Sequence, residues 1–477
     1  MIRDLKPYTA YKDSGVQWLG DVPEHWQVSP SRVLFKEIMD QNHPDEALLS
    51  VTISRGVISQ SDLLSDTSKK DSSNLDKSKY KLIQPGDIAY NKMRAWQGAV
   101  GASRLQGIIS PAYIVQRPRD NVLPEYMHYL LRTPSFATEA ERWSYGITSD
   151  QWSLRAEHFK MIYCSLPSWD EQTAIVRFLH YADRQIRKFI VAKHKLIKLL
   201  DEQKQGIIHR AVTRGLDPGV PMKPSGVEWL GDVPTHWDVK PLKYFVPQVT
   251  VGIVIQPARL YVEAGIPCLR SLNISSGSIE PNNLVFISPE SNARHRKSQI
   301  HRDDIVVVRT GQAGVAAIVT QEFDGANCID LLIVRRSERV LSDYLLTYLN
   351  SWSARTDVRY RSVGAIQAHY NTATLANLVV PAPPIVEQRK ILDDLSSQLS
   401  PLIESTRIAE REVSLLREYR TRLIADVVTG KLDVQEAAER LPDETKEYEE
   451  LTLADEALED SDRGELTSEE LAEEVIG

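Results

Sequence analysis

The sequence lacks the features that mark several large protein classes. Only three of its 477 residues are cysteine, Cys164, Cys268 and Cys328, and none forms a C-x-x-C pair. This spacing argues against a disulfide scaffold or a cysteine-rich zinc site. No apolar run approaches the roughly 18 residues of a membrane helix, and the first residues lack the apolar core of a secretory signal. We therefore expect a cytoplasmic globular protein that does not use a membrane as a partner.

Motifs for catalysis are also missing. The chain contains no GxxxxGK[ST] phosphate loop, no GxGxxG dinucleotide fingerprint, no GxSxG elbow and no HExxH zinc motif, which together cover many nucleotide-using and hydrolytic enzymes. The acidic-Pro-Pro-aromatic tetrapeptide of adenine methyltransferases is absent as well. The only Pro-Pro pair, Pro383-Pro384, precedes a helical pattern and marks a boundary. The sequence therefore shows no recognised catalytic constellation.

The overall charge of −8 hides two parts of opposite sign. Residues 434–477 hold 17 acidic and 3 basic residues, a net charge of −14. The remaining 1–433 hold 48 acidic and 54 basic residues, a net charge of +6. A mildly basic body is compatible with a polyanionic partner, and equally with an ordinary solvated surface.

The chain carries an internal repeat. Residues 15–28 read GVQWLGDVPEHWQV and residues 226–239 read GVEWLGDVPTHWDV, with 11 of 14 positions identical. We call each copy the tryptophan motif. Base stacking is one use for such rings, but hydrophobic anchoring is the commoner one. The residues that we expect to serve as core anchors are Trp18, Trp26, Trp229 and Trp237.

Other landmarks repeat in the same order. PGDIAY at 85–90 matches RDDIVV at 302–307, and Glu171-Gln172 after Pro167 matches Glu387-Gln388 after Pro383. The sequences between these landmarks differ almost completely. One structural plan has therefore been used twice, with different interiors.

Each half runs from a tryptophan motif through about 140 mixed residues with short β-type runs to a long helical pattern. Leucine or alanine recurs every seven residues from Leu395 to Leu423, which predicts a supercoiled partner helix. The obvious arrangement is an antiparallel coiled coil of the two helices with a pseudo-twofold repeat; the alternative is that each helix packs on its own globular part. Pro401 should kink or restart the second helix.

The predicted fold class is α+β, with two similar domains joined by two long helices. The expected boundaries are residues 1–168 for domain 1, 169–215 for helix 1, 216–384 for domain 2, 385–433 for helix 2, and 434–477 for a poorly packed acidic tail. The expected helix-pairing residues are Ile186, Ile190, Ile197, Leu200, Leu402, Ala409, Leu416 and Leu423.

His25 and His236 occupy the same position in the two tryptophan motifs. A metal site would need further ligands nearby. We therefore expect packed, hydrogen-bonded histidines and no metal.

Polar loops follow β-type runs at equivalent places in both halves. Residues 309–314 follow DIVVV, and residues 91–98 follow the matching run in the first half. Arginine and glutamine read guanine and adenine edges well, and small residues allow close backbone approach. A second loop in each half begins at Gly146 or Gly364, and basic pairs could contact phosphates. The DNA-binding candidates are Lys69, Lys70, Asn91, Lys92, Arg94, Gln97, Thr148, Ser149, Gln151, Arg296, Lys297, Arg309, Thr310, Gln312, Gln367 and His369.

The WLGDVPxHW segments at 18–26 and 229–237, with Glu-Gln at each junction before a long helix, resemble the specificity subunits of Type I restriction–modification systems (HsdS). The resemblance covers residues 11 to about 433. It implies a non-catalytic subunit whose two target-recognition domains each read one half of a split, asymmetric sequence in double-stranded DNA. It further implies that the helices set the gap and dock two methyltransferase subunits, which motor–nuclease subunits join.

By the same resemblance, this chain binds no cofactor itself, and S-adenosylmethionine, ATP and Mg are expected on the partner subunits. The acidic tail has no counterpart in the family pattern. Two alternatives remain at this stage: a coiled-coil adaptor that binds only proteins, and a self-contained DNA methyltransferase or nuclease with an unfamiliar site.

Overall fold

The computed structural model describes residues 5–65, 76–146, 152–255, 257–362 and 370–442. The chain mixes strands and helices, and two of the helices are very long, in agreement with the α+β prediction. It divides into two compact units. Unit 1 combines Met1–Lys195 with Ala409–Gly477, and unit 2 is Leu196–Ile408. The division passes through both long helices, so each unit contains part of each.

Unit 1 is built around a four-stranded antiparallel sheet in the order β4-β11-β8-β9. Two-stranded pairs β1-β2, β3-β12, β5-β6 and β7-β10 surround it. Its strands are β1 Tyr11–Asp13, β2 Asp21–Pro23, β3 Gln27–Pro30, β4 Phe35–Ile38, β5 Leu49–Thr52, β6 Gly56–Ser59, β7 Lys81–Ile83, β8 Ile88–Asn91, β9 Val100–Ala102, β10 Gly107–Ile109, β11 Tyr113–Pro118 and β12 Tyr163–Leu166.

Unit 2 repeats this plan with the antiparallel sheet β16-β23-β20-β21, and adds a second four-stranded sheet β17-β19-β18-β22. Its strands are β13 Met222–Pro224, β14 Asp232–Pro234, β15 Asp238–Pro241, β16 Val249–Val251, β17 Tyr261–Val262, β18 Ile266–Leu269, β19 Val285–Ile287, β20 Ile305–Val308, β21 Ala316–Ile318, β22 Asn327–Cys328, β23 Leu331–Val334 and β24 Val379–Ala382.

Short helices cover the sheets, and one long helix follows the last strand of each repeat. The helices are α1 Ser31–Leu34, α2 Gln60–Ser65, α3 Pro124–Leu130, α4 Pro134–Arg142, α5 Ala156–Phe159, α6 Trp169–Arg214, α7 Pro289–Arg294, α8 Ser342–Leu349, α9 Trp352–Ser362, α10 Thr372–Ala376, α11 Ile385–Val428 and α12 Gln435–Glu439.

The central strands of unit 2, β20 and β23, are apolar throughout because both faces of their sheet are covered. In β20, Ile305 and Val307 join one hydrophobic cluster, whereas Val306 and Val308 join another. Successive side chains of a strand point to opposite faces, so the run IVVV supplies two cores at once. In unit 1, β8 divides its side chains between two clusters in the same way.

The Glu-Gln pair at each helix start explains why the tryptophan motif recurs. Glu171, 3% exposed, accepts hydrogen bonds from Trp26 Nε1 (2.9 Å) and the Tyr8 hydroxyl (2.7 Å), and its second oxygen lies 3.0 Å from His25 Nε2. Burial and the adjacent carboxylate raise the pKa of Tyr8, so its hydroxyl keeps the proton that it donates. The first histidine is thus hydrogen-bonded, as predicted, but its side chain is 54% exposed and is not packed in the core.

Unit 2 repeats this contact. Glu387 accepts from Trp237 Nε1 (3.0 Å) and lies 2.7 Å from His236 Nε2. Trp26 and Trp237 are 0% and 1% exposed, which confirms them as core anchors, and the partly buried Trp18 and Trp229 pack against the same cores.

The glutamine of each pair connects the helix to its globular part. Gln172 Oε1 accepts from Leu123 N at 2.8 Å, and Gln388 Oε1 accepts from Leu341 N at 2.8 Å. The amide groups of both glutamines donate to proline carbonyls five residues earlier. Each globular part is therefore fixed to the first turn of its helix.

A tyrosine in each unit connects the globular part to the end of the other long helix. Tyr126 donates to the carbonyl of Val428 at 3.0 Å, and Tyr344 contacts that of Val212 at 3.5 Å. Each helix then ends at a glycine in the left-handed region, Gly215 or Gly430. A Cβ atom at Gly430 would lie 2.4 Å from Pro23 Cδ, so only glycine allows this helix end to approach the tryptophan motif.

Glu171→Ala should destabilise unit 1 more than Glu387→Ala destabilises unit 2. Losing Glu171 leaves two buried donors unpaired, and each costs about 1–3 kcal/mol, so we expect a loss of roughly 2–6 kcal/mol in unfolding free energy. The Glu387 side chain is 28% exposed, so water can replace part of its contacts. Chemical denaturation of both variants measures the difference. Equal losses would mean that burial does not set the cost.

Within unit 1, α6 and α11 run antiparallel. Lys193 Nζ pairs with Glu412 at 2.6 Å, and ten residues earlier Asp183 pairs with Arg420, which lies later in α11. Of the expected helix-pairing residues, Ile186, Ile190 and Leu423 are buried in one cluster, Leu416 packs against it, and Ala409 is 1% exposed.

In unit 2, the end of α6 and the start of α11 share one core. Val212 of α6 lies in the same cluster as Ile391 and Leu395 of α11. The expected helix-pairing residues Ile197, Leu200 and Leu402 are half-buried. The helix does not restart at Pro401, because α11 continues through this residue to Val428.

The prediction of a poorly packed tail is wrong for its first residues. Val434 and Ala438 are buried in the unit 1 core, and Arg177 donates to the carbonyl of Leu441 at 2.9 Å. Asp433 N also donates to Lys6 O at 2.8 Å. The many charged residues of this segment concealed three apolar ones, Val434, Ala438 and Leu441, which are all buried. Residues 443–477 lie outside the described residues.

Candidate nucleic-acid interface

The two central sheets present equivalent loops. Loop 1, residues 92–99, connects β8 to β9, and loop 2, residues 309–315, connects β20 to β21. Loop 1 follows β8 and loop 2 follows β20, which are equivalent strands of the two central sheets. The neighbouring strand is β11 in unit 1 and β23 in unit 2. Each loop therefore carries its polar residues on the end of a rigid, buried strand.

Hydrogen bonds of the Asn91 and Trp96 side chains fix the conformation of loop 1. Asn91 is 2% exposed, and its Oδ1 accepts the backbone N–H of Met93 at 3.0 Å. Trp96 Nε1 donates to Met93 O at 3.0 Å, and its ring meets Trp152 edge-on at 5.5 Å. The proposal of Asn91 as a DNA contact is therefore corrected, because its carboxamide is buried and shapes the loop.

The remaining loop 1 candidates are half-buried at the surface: Lys92, Arg94 and Gln97. Sequence reasoning missed a supporting residue here. Arg132 follows α3, and its guanidinium donates to Val100 O at 2.8 Å and to Ile53 O at 2.8 Å. Sequence alone does not reveal that Arg132 supports the loop, because the groups that accept its hydrogen bonds are backbone carbonyls far away in the chain.

Loop 2 is held by a carboxylate. Arg309 Nη1 donates to Asp330 Oδ1 at 2.8 Å, and the Thr310 hydroxyl donates to Asp330 Oδ2 at 2.9 Å. The Arg309 side chain is 23% exposed and that of Asp330 is 37% exposed, so this pair lies at the surface. Gln312 is exposed. Asp330 was not among the predicted residues.

The other basic candidates of unit 2 flank α7. Arg296 and Lys297 are exposed, and Arg335 donates to Lys297 O at 2.9 Å. Seven further candidates lie outside the described residues: Lys69, Lys70, Thr148, Ser149, Gln151, Gln367 and His369. The part of each second loop that held the DNA candidates is thus not described.

One ion pair is common to both sheets. Arg117 Nε meets Asp87 at 2.7 Å in unit 1, and Arg335 Nη1 meets Asp304 at 2.6 Å in unit 2. The aspartates precede β8 and β20, and the arginines end β11 or follow β23. This pair ties together the ends of the central strands that lie away from loops 1 and 2.

His128 lies beside β9, and its Nδ1 accepts the backbone N–H of Ala102 at 3.2 Å. Burial, with a smaller contribution from nearby Arg132, lowers the pKa of His128 to about 3. A depressed pKa stabilises the fold above the unfolded pKa of about 6.5. That stability is lost as the pH falls from 6.5 towards 3, because the unfolded chain binds the proton first.

We expect protonation of this residue to lower the unfolding free energy of unit 1 by roughly 1 kcal/mol per pH unit as the pH falls across that window. Urea denaturation at several pH values measures the slope for the native chain and for His128→Gln. The glutamine amide does not titrate in this range, so the variant should show a shallower slope. An unchanged slope would assign the acid sensitivity to other groups.

Among the described residues no group of His, Cys, Asp and Glu has an arrangement that could hold a metal ion. Within the same ranges, no helix has both the length and the apolar character needed to span a bilayer. What the described surface offers is a pair of equivalent, partly basic loops on duplicated sheets. The described fold is therefore a duplicated sheet scaffold that carries one polar loop at the equivalent place in each unit.

Comparison with known proteins finds relatives of this chain. No family model matches the chain. It is similar to the type I restriction enzyme MjaVIII specificity subunit of Methanocaldococcus jannaschii, with 22% identity over 75% of this chain and 83% of that protein. It is also similar to the type I restriction enzyme EcoKI specificity subunit of Escherichia coli, with 22% identity over 42% of this chain and 44% of that protein.

A solved structure shares the fold. It comes from work on complex assembly and conformational transition of the type I R-M system, and the alignment covers 86% of this chain and 99% of that chain. The TM-score is 0.62 at 16% identity. These relatives confirm the resemblance to type I specificity subunits that the tryptophan motifs and Glu-Gln junctions predicted.

Proposed function

We propose that this chain is the DNA sequence-recognition subunit of a Type I restriction–modification complex. It is the non-catalytic specificity subunit, and each unit reads one half of a bipartite, asymmetric target in double-stranded DNA. The relatives named as specificity subunits support this assignment. No observation on the described residues favours the protein-only adaptor or the self-contained enzyme.

The observation that carries the proposal is duplication of the scaffold with divergence of its loops. The two central sheets have the same strand order and register, whereas loop 1 presents Lys92, Arg94 and Gln97 and loop 2 presents Arg309, Thr310 and Gln312. Arginine, lysine and glutamine side chains read base edges in the major groove. Two different loops on one scaffold are what recognition of two different half-sites requires.

The long helices would set the distance between the half-sites as an antiparallel coiled coil. The antiparallel ion pairs inside unit 1 support this arrangement. Exposed apolar side chains on both helices, including Phe189, Leu415 and Tyr419, suit docking of partner subunits. Those partners are two methyltransferase subunits, which carry S-adenosylmethionine, and motor–nuclease subunits, which carry ATP and Mg. The complex would act on chromosomal DNA in the cytoplasm.

A methylation map of the host genome, with and without this gene, tests the proposal. Single-molecule sequencing should show one split, asymmetric adenine-methylated motif that disappears on deletion. An unchanged map in cells that express the gene and its methyltransferase would contradict DNA reading and favour the protein-only adaptor. DNA cleavage or methylation by the purified chain alone, supplied with magnesium or S-adenosylmethionine, would favour the enzyme.

A further inference from the structure

The pair formed by Arg309 and Asp330 is not required by the fold. The strand ladders of the two sheets end at Asn91–Tyr113 in unit 1 and at Val308–Leu331 in unit 2. One step further along each ladder stand Lys92 and Ala112 in unit 1, and Arg309 and Asp330 in unit 2. Unit 1 forms the same sheet with alanine at the position of Asp330. The carboxylate therefore serves something specific to unit 2.

Asp330 is rigidly held. Its backbone N–H donates to Ile253 O at 3.1 Å, and its φ of 52° lies in the left-handed region. Aspartate and asparagine adopt this region more readily than most side chains, and glycine adopts it freely. The carboxylate thus stands on a fixed turn directly before β23, facing the residue that directly follows β20.

Its two oxygens hold two different residues of loop 2, one each. The contact uses only one of the three guanidinium nitrogens of Arg309, and an arginine side chain has five N–H donors. The guanidinium is therefore oriented, and because Nε is buried without a hydrogen-bond partner, the donors that remain for a second acceptor are those of the two Nη atoms. A recognition side chain that is fixed before binding loses less entropy on binding and tolerates fewer alternative partners.

The charges of Arg309 and Asp330 also support a role in base reading. A free arginine at a DNA surface attracts any phosphate, and each neutralised phosphate adds about 0.9 to the salt dependence of binding. The Asp330 carboxylate offsets the charge of Arg309, so the pair gains little from non-specific phosphate. A base edge that offers a directed acceptor, such as guanine, can still engage the remaining donors.

We propose that Asp330 is a positioning residue that orients Arg309 and Thr310 for base reading and suppresses their non-specific contact with phosphate. This inference rests on the proposed function, because it assigns a role within DNA recognition by unit 2. It is specific to one half-site, since unit 1 has Ala112 at the equivalent position.

Two variants test the inference without straining the backbone. Asp330→Asn removes the charge and keeps one acceptor, and Asp330→Gly removes the side chain at a φ that glycine adopts freely. The matched control is Glu338→Gln, which removes an exposed acidic charge beyond the opposite end of β23. The full chain, assembled with its methyltransferase subunits, is titrated with duplexes that carry the mapped target or single-base changes, at several salt concentrations.

In both Asp330 variants, we expect discrimination at one or two positions of a single half-site to fall about tenfold or more, because a directed contact to a base contributes about 1–3 kcal/mol. Affinity for unrelated DNA should rise, and its salt dependence should steepen by about 0.9. Glu338→Gln should leave discrimination unchanged.

Unchanged discrimination in both Asp330 variants, with a native chain that does discriminate, would overturn the inference and leave the proposed function standing. Equal weakening at every position of both half-sites would also overturn it, because that pattern indicates loss of structure. A native complex that prefers no sequence at all would refute the proposed function, and the inference with it.

Discussion

Arg309→Lys is expected to relax recognition of one half-site while leaving the other half-site unchanged. Lysine keeps the positive charge but lacks the planar fork that binds two acceptors on guanine. If Arg309 reads a base, we expect a loss of about 1–3 kcal/mol in discrimination at that position. The measurement is binding of the assembled complex to duplexes that differ by one base pair.

Arg309→Ala gives the complementary information. It should match the lysine variant in lost discrimination and additionally lower the salt dependence if the charge also contacts a phosphate. Equal weakening on every sequence, rescued by lysine, would make Arg309 a phosphate contact instead. Lys92→Ala, at the equivalent register in unit 1, is the matched control and should affect only the opposite half-site.

Lengthening both long helices by four residues is expected to change the gap between the half-sites and neither half-site itself. Four residues add about 6 Å to a helix and about one full turn, so the packed faces keep their orientation. At about 3.4 Å per base pair the target gap should grow by one or two base pairs. Sequencing of the methylated motif reads the gap directly.

The structure decides where the residues must be added. The compact units divide between Lys195 and Leu196 in α6 and between Ile408 and Ala409 in α11. Insertion at both points preserves the pairing of α6 with α11 inside each unit. Insertion near Leu196 alone would lengthen one helix against an unchanged partner, and we expect it to impair assembly.

A control with alanine at the exposed Lys195 and Glu410 alters the same region without adding length, and its motif should keep the native gap. A changed base in either half-site of the doubly extended chain would contradict the role of the helices as a spacer.

The repeat was predictable because the same contacts are made twice. Trp26 and Trp237 each donate to the glutamate that opens a long helix, so sequence identity marks the parts that pack identically. The glycines after α6 and α11 are predictable for a similar local reason, since a left-handed residue commonly ends a helix.

The individual site residues were less predictable. Asn91 matched the pattern of a polar loop residue, yet its side chain is buried and bonded to the next turn. Asp330 lies 21 positions from Arg309, and only the pairing of β20 with β23 brings them together. Polarity and local spacing do not report strand register, so neither result could be read from the chain.

The duplication, the long helices and the tryptophan anchors follow from the amino-acid sequence alone, because they depend on local periodicity and on large apolar side chains that must be buried. Tertiary structure decided which loop side chains are exposed, which carboxylate holds Arg309, and that Val434 and Ala438 join the unit 1 core. Those outcomes depend on contacts between segments far apart in the chain, whose geometry is fixed only when the strands pair and the helices pack.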